Sequence, residues 1–287
     1  MSPAADPDAG STTGSTTGST TGVPAPLRDL EHLRVELDRQ VLTVTIDRPK
    51  QLNALNTRLL AGLATVADEV RRAAQVRAVV VTGAGGRAFV SGADVGEFDG
   101  LAGESGYAFT RNGQRVLDAW EALPVPSIAM IDGWALGGGC ELAMACTMRI
   151  ASDRSRLGLP EIRLGVMPGY GGTQRLPRLV GRGVAAEMML TGEPVDAARA
   201  HQLGLVNRVC PPGELEEATY GLARTLADRP RASVRYVLEA LDAAAAVSTD
   251  GLRLEASLAG ILTGTADKAE GVAAFREKRP PRWSGRE

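Results

Sequence analysis

The sequence predicts an α/β protein built on a mostly parallel sheet, and three observations predict it. Apolar runs and helical stripes follow one another as strand, helix, strand from Leu33 to Gly83, the order that right-handed crossover units impose. A second apolar run, Ser127 to Ile131, leads to a triple glycine, Gly137-Gly138-Gly139, and then to the Ala/Met/Leu-rich run Leu142 to Met148. That is the pattern of a buried strand turning tightly into a packed helix. From Glu214 onward, apolar residues recur only at helical spacing.

Residues 1–28 read as a low-complexity tail, because Ser-Thr-Thr-Gly occurs three times in tandem from Ser11 to Gly22. Such composition cannot bury enough apolar surface to offset ordering entropy, so the tail is expected to be disordered. The core is expected over residues 29–210 and a helical region over 211–287. Leu33, Val35 and Leu37 alternate, as do Leu42, Val44 and Ile46, with Asp38-Arg39-Gln40 between them as the turn. Pro49 ends the second strand. Asn56 suits the N-cap of a helix with Leu59, Leu60, Leu63, Ala67 and Val70 on one face. Arg77 to Gly83 is the next strand. Val95 to Leu101 reads as a short helix or a loop. A longer helix is expected over about Tyr107 to Leu123, stopped by Pro124 and Pro126. Asp132 to Leu136 enters the glycine turn, and Arg149 to Ser152 is a further strand. Ala197 to Val209 reads as helix, turn at Gly204, then strand. The late stripes are Leu222/Leu226, Val234/Val237/Leu238/Leu241 and Leu258/Ile261/Leu262. They have no sheet to cover, so they must pack on the core or on another subunit.

Composition excludes several classes. The 287 residues allow one large domain, or one with an appendage. A net charge of -2 points away from nucleic acid. No apolar run approaches the roughly 20 residues that span a bilayer, so no membrane partner is expected. The start lacks the cationic and apolar regions of a secretion signal. The three cysteines, Cys140, Cys146 and Cys210, contain no C-x-x-C pair. They read as reduced thiols in a cytoplasmic protein. The two histidines, His32 and His201, make a histidine-based triad or metal site improbable.

Chemistry points to two glutamates. Glu141 stands after the glycines in the first turn of a helix, where a carboxylate often does no more than complement the helix dipole. Glu161 stands after Pro160 in Gly158-Leu159-Pro160-Glu161. Glycines allow a backbone N–H to approach a ligand closely, and a helix N-terminus adds positive potential there. Two carboxylates beside such donors suggest acid–base work on a carbonyl compound. Gly83-Ala84-Gly85-Gly86-Arg87-Ala88 fits the dinucleotide pattern G-x-G-x-x-A, but the next residues, Phe89 to Asp94, are not helical in pattern. Ser91-Gly92-Ala93-Asp94, on its residues alone, is a surface turn with Asp94 capping the next segment. Gly169 to Arg175 is a glycine-rich loop that lacks the Gly-Lys-Ser/Thr ending of a P-loop. It reads as a wall of the site, with Tyr170 either narrowing a pocket or pointing to solvent.

Four separated motifs together resemble the crotonase (enoyl-CoA hydratase/isomerase) family. They are Asp47-Arg48-Pro49-Lys50-Gln51-Leu52-Asn53-Ala54-Leu55, Ala88-Phe89-Val90-Ser91-Gly92-Ala93-Asp94-Val95, the stretch Gly137 to Arg175, and Glu270 to Arg279. The resemblance covers roughly residues 30 to 282. It implies an α/β fold with a crotonase-like ββα spiral core and a C-terminal helical trimerisation region. It implies an oxyanion hole made by the N–H groups of Ala93 and Gly138. It implies Glu141 as base and Glu161 as donor of the α proton, or the two as a coupled pair. Substrate and coenzyme A would contact Lys50, Leu52, Ala54, Ala93, Asp94, Val95 and Gly138. Phe275 and Lys278 would reach the coenzyme A of a neighbouring subunit, or Lys278 would be a solvated charge. The family has an aspartate where this chain has Thr147, a difference expected to affect packing more than chemistry. The implied activity is enoyl-CoA hydratase on an acyl-CoA thioester, in a homotrimer or homohexamer. No metal and no cofactor is implied, since coenzyme A is part of the substrate. An isomerase, hydrolase, lyase or dehalogenase with the same oxyanion hole is the alternative, and so is a silent assembly subunit. The presence of both glutamates favours hydration.

Overall fold

The structure, a computed structural model, describes residues 22–245 and 249–282. The expected tail divides near its end: residues 1–21 lie outside the described residues, whereas Val23 and Leu27 are buried in the main core. The packed chain therefore includes residues 23–28, which composition alone assigns to the tail. A 3-10 turn at Ala25–Leu27, begun after Pro24, lays Leu27 into the core.

Strands β1 (Leu33–Asp38) and β2 (Val41–Ile46) form an antiparallel hairpin in register from Leu33 opposite Ile46 to Asp38 opposite Val41. Its two turn residues, Arg39 and Gln40, both have positive φ, as a tight hairpin twist requires. The main sheet then runs parallel, from β2 through β3 (Ala78–Gly83), β5 (Ser127–Ile131), β7 (Met148–Ser152) and β10 (Arg208–Cys210). A second sheet joins β4 (Ala88–Val90), β6 (Trp134–Leu136), β8 (Arg156–Gly158) and β9 (Val195–Asp196), the last antiparallel.

Both faces of the main sheet are covered, which is why its central strands are continuous apolar runs rather than alternating ones. Val79, Val81, Ala129 and Ile131 face the larger core. Helices α1 (Thr57–Arg72), α2 (Glu104–Glu121) and α3 (Gly138–Ala145) supply its other side. Asn56 caps α1 by accepting from Leu59 N at 2.9 Å. Trp120 of α2 is fully buried and donates to Leu63 O at 3.0 Å. Helix α2 begins at Glu104, earlier than its apolar stripe, because its first turn is largely exposed and carries no apolar signal.

Helices α4 (Gly172–Val180), α5 (Arg182–Thr191) and α6 (Ala197–Gln202) lie among and after the second sheet's short strands. Helix α7 (Leu215–Ala227) corrects the expectation that the late helices have no sheet to cover. Its Leu215, Ala223 and Ala227 pack on Val41, Ala78, Val80, Ile128, Met130 and Ile150, the outer face of the main sheet.

The remaining helices are α8 (Arg231–Ala245), α9 (Thr249–Thr263) and α10 (Ala266–Glu277). Helix α9 runs along α2 and buries Leu252, Ala256 and Ala259, while Leu258 and Ile261 face outward. On α8, Tyr236, Val237 and Leu241 are exposed. Residue 210 is thus not a packing boundary, since α7 and α9 both complete the core. Thr147 makes reciprocal bonds with Ser127: Ser127 N donates to its Oγ1 at 3.1 Å, and Thr147 N donates to Ser127 Oγ at 3.0 Å. The departure at this position is therefore accommodated by local hydrogen bonds. No helix among the described residues is long and apolar enough to cross a membrane.

Candidate active site

The site is built where the two sheets meet the start of α3. Gly137 turns the chain with φ 50°, and all eight residues of α3 are buried. A Cβ on Gly139 would lie 2.1 Å from Val90 O, so only glycine lets α3 approach β4. At its other end α3 is satisfied by the buried Arg149, which donates to Cys146 O at 2.8 Å and to Leu205 O at 2.7 Å. A cation there complements the helix C-terminus. In sequence, Arg149 is legible only as a strand residue.

Strand β4 runs into Ser91-Gly92-Ala93-Asp94, and three backbone bonds pin this loop. Ser91 N donates to Leu52 O at 3.1 Å, Leu55 N to Gly92 O at 2.8 Å, and Asp94 N to Leu55 O at 2.8 Å. A Cβ on Gly138 would lie 3.3 Å from Ala93 N, which puts the two expected oxyanion donors side by side. Neither N–H meets a backbone acceptor outside regular structure among the described residues. Gly138 also sits in the first helical turn, whose N–H groups lack intrahelical partners.

Two residues with no individual signal in the sequence hold the loop. Asn53 is fully buried at φ 60°. It accepts from Arg48 N at 3.0 Å and donates to Ala84 O at 2.9 Å and Ala88 O at 2.8 Å. Arg48 donates to Ala54 O at 2.5 Å and to Asp94 Oδ2 at 3.0 Å. The Asp94 carboxylate also accepts from Gly96 N at 3.1 Å. It caps the next turn, as its residue type suggests, and both its side chain and its backbone are engaged within the protein: Asp94 N donates to Leu55 O and Asp94 O accepts from Glu97 N at 2.9 Å. Leu52, Ala54, Ala93, Asp94 and Val95 share this rim, with Lys50 exposed on the adjoining 3-10 turn Pro49–Gln51. The dinucleotide-like stretch instead enters β4, and a Cβ on Gly83 would lie 2.2 Å from Phe89 O.

Glu141 is buried, and its Oε1 accepts from Tyr170 N at 2.8 Å and Gly172 N at 2.7 Å. Glu161 opens the 3-10 turn Glu161–Leu164. Its Oε1 lies 2.9 Å from where a Cβ on Gly137 would be, and its buried Oε2 has no partner among the described residues. Burial holds Glu141 well above the usual carboxylate range; the charges of Glu161 and Glu255 add to this, and the two N–H donors oppose it. Burial likewise pushes Glu161 up to about 8, with its own backbone N–H opposing and Glu255 adding. Two such carboxylates in one site share protons as a pair. Cys140 lies beside them with its thiol held protonated, by burial first and by both glutamates second.

Tyr170 is buried, so it narrows the site rather than facing solvent. Its ring fills the space that a Cβ on Gly138 or Gly113 would need, at 3.2 and 2.2 Å, and it neighbours the Phe109 ring at 6.0 Å. Arg175, also buried, donates to Tyr170 O at 2.9 Å and pairs with Asp118 and Glu121 of α2.

Phe275 and Lys278 are both exposed. Helix α10 docks on its own chain: Arg276 pairs with Asp99 at 3.0 Å, Lys268 Nζ donates to Phe98 O at 3.2 Å, and Gly271 abuts Leu164. These bonds hold Phe275 and Lys278 at the exposed end of a helix beside their own chain's Val95–Phe98 turn. Glu255 of α9, which carries no signal in the sequence, is buried beside the pair.

Comparison with known proteins agrees with this geometry. Residues 36–286 match the family model described as enoyl-CoA hydratase/isomerase. The chain is 39% identical over 252 residues to the short-chain-enoyl-CoA hydratase of Clostridium acetobutylicum, covering 88% of this chain and 97% of that one. It is 38% identical over 250 residues to the crotonyl-CoA hydratase of Syntrophomonas wolfei subsp. wolfei, covering 87% and 96%. The crystal structure of an enoyl-CoA hydratase from Mycobacterium avium subsp. paratuberculosis superposes with a TM-score of 0.81 at 30% identity, covering 89% of this chain and all of that one.

Proposed function

We propose a division of labour for this chain, which belongs to the enoyl-CoA hydratase/isomerase family and is an enoyl-CoA hydratase, a hydro-lyase acting on acyl-CoA thioesters. The thioester oxygen sits against the N–H groups of Ala93 and Gly138. As water adds, the carbonyl gains enolate-like charge, and donors aimed at that oxygen stabilise it by about 2–4 kcal/mol each. Glu141 and Glu161 hold the water between them. Glu141 takes a proton from the water as its oxygen bonds to C3, and Glu161 gives a proton to C2. The product is a 3-hydroxyacyl-CoA, and the enzyme is left with the proton on the opposite glutamate. Exchange with solvent resets it.

One observation carries the assignment. Glu141 Oε1 accepts two backbone N–H bonds, which favour the ionised form, whereas Glu161 Oε2 is buried and accepts none. Burial raises both carboxyls, and this asymmetry of hydrogen bonds favours the proton on Glu161 and the charge on Glu141, the base. The scheme requires no metal and no cofactor beyond the coenzyme A of the substrate, and we assign the enzyme to the cytoplasm. The exposed Val237 and Leu241 of α8 and Ile261 of α9 support a homotrimer or homohexamer. Purified protein assayed against a panel of 2-enoyl-CoA thioesters should hydrate short or medium chains. Conversion of 3-enoyl-CoA to 2-enoyl-CoA with no water addition to any of them would make the chain an isomerase.

A further inference from the structure

Glu255 sits on α9, in the part of the chain expected to serve assembly, yet it is buried against the active site. Its Oε1 accepts from Gly171 N at 2.7 Å and from Gln114 Nε2 of α2 at 2.9 Å. Its Oε2 accepts from Thr173 N at 3.1 Å and from the Thr173 hydroxyl. Glu141 takes the N–H groups of Tyr170 and Gly172. The run Tyr170 to Thr173 therefore offers four successive N–H groups alternately to Glu141 and Glu255. Neither carboxylate can shift without turning peptide planes that the other holds.

We infer that Glu255 is a positioning residue for hydration: by fixing the N–H groups of Gly171 and Thr173, it orients those of Tyr170 and Gly172 toward Glu141. The inference rests on the acid–base reading of Glu141 and Glu161. Burial raises the proton affinity of Glu255, and the four donors on its two oxygens oppose this and favour the ionised form. Its charge faces Glu141 of α3, Glu161 of the following 3-10 turn, and the polar groups Gln114 and Thr173. Behind them lie Arg175, neutralised by Asp118 and Glu121, and Arg111, which donates to Gln114 Oε1 at 2.5 Å. The Glu255 charge raises the proton affinity of both catalytic carboxylates. Helix α9 thereby ties the working pH of the site to the packing of the C-terminal helices on α2.

The test is the pH–rate profile of hydration in the full-length enzyme, with melting temperature as the fold control. Glu141→Gln should abolish the acid limb and Glu161→Gln the alkaline limb. If those limbs survive, the acid–base reading itself fails. Glu255→Gln should move both limbs to lower pH by about one unit, the usual effect of one neighbouring charge. It should also lower kcat about tenfold with little change in KM, as misplacement of a catalytic group does. Glu255→Asp keeps the charge and should return the limbs to their wild-type positions. Thr173→Ala leaves the carboxylate in place while weakening its ionised form, and should move the limbs the same way by less. Unmoved limbs in Glu255→Gln, or in Thr173→Ala if the glutamine variant does not fold, would overturn the inference while leaving the acid–base reading intact.

Discussion

Replacing Glu161 by Gln should lower turnover by about 10²–10⁴-fold and at the same time stabilise the protein above neutral pH. Burial pushes the carboxyl of Glu161 up to about 8 in the folded chain, from the ordinary value near 4.5. Between those two values the folded state keeps a proton that the unfolded state has lost. The unfolded state binds fewer protons there, so stability falls as pH rises through the interval and levels off above it. A gap of about 3.5 pH units (8 minus 4.5) corresponds to at most about 5 kcal/mol at 1.36 kcal/mol per unit. For a chain of this size, about 2–4 °C accompanies each kcal/mol. Glu161→Gln should therefore melt up to roughly 10–20 °C above wild type at pH 9, and close to it at pH 5, where the wild-type side chain is also neutral. Thermal unfolding from pH 5 to 9 reads this directly. Parallel curves for the two proteins, or a glutamine variant less stable at pH 9, would refute the burial argument.

Three further outcomes are expected. Deleting residues 1–21 should leave melting temperature and turnover nearly unchanged, whereas deletion through Arg28 removes the buried Val23 and Leu27; at about 1.5–3 kcal/mol per buried side chain, this should cost roughly 6–24 °C in calorimetry. Gly139→Ala puts a Cβ 2.1 Å from Val90 O, so it should destabilise by about 1–3 kcal/mol and lower kcat, because pushing α3 off β4 parts the two oxyanion donors; unchanged kinetics would contradict that spacing argument. Light scattering should give the mass of three or six chains, and Val237→Lys with Leu241→Lys on α8 should reduce it, whereas an active wild-type monomer would remove the role given to those exposed faces.

The parts of the fold legible in sequence were those with a long apolar period. The hairpin at Leu33 to Ile46, helix α1 with its Asn56 cap, and the buried strands Ala78–Gly83 and Ser127–Ile131 are dictated by spacing alone. The second sheet was not, because β6, β8 and β9 are only two or three residues long and carry no period. The glycine turn and its glutamates stood out because Gly137, Gly138 and Gly139 precede a helix. What the glycines are for required the fold: Gly139 admits Val90, and Gly138 admits Ala93 N and the Tyr170 ring. Arg48, Asn53, Arg149 and Glu255 were missed for one reason. Each is a polar side chain whose work is done by partners distant in the chain, such as Asp94 for Arg48 and Gly171 for Glu255. In sequence such residues look like solvated surface. Residues 23–28 fell to the tail because two apolar residues in a short turn leave no pattern.

A double-mutant cycle on Glu141 and Glu161 tests the central claim most directly. Hydration of the best 2-enoyl-CoA substrate would be measured for wild type, Glu141→Gln, Glu161→Gln and the double variant. If both carboxylates handle the same water, each single substitution should lower kcat by about 10²–10⁴-fold, the usual worth of a positioned acid or base. The double variant should lose less than the product of the two, because the residues act as a unit. One substitution that abolishes turnover beside another that is nearly neutral would contradict the account and leave a single-base reaction in its place.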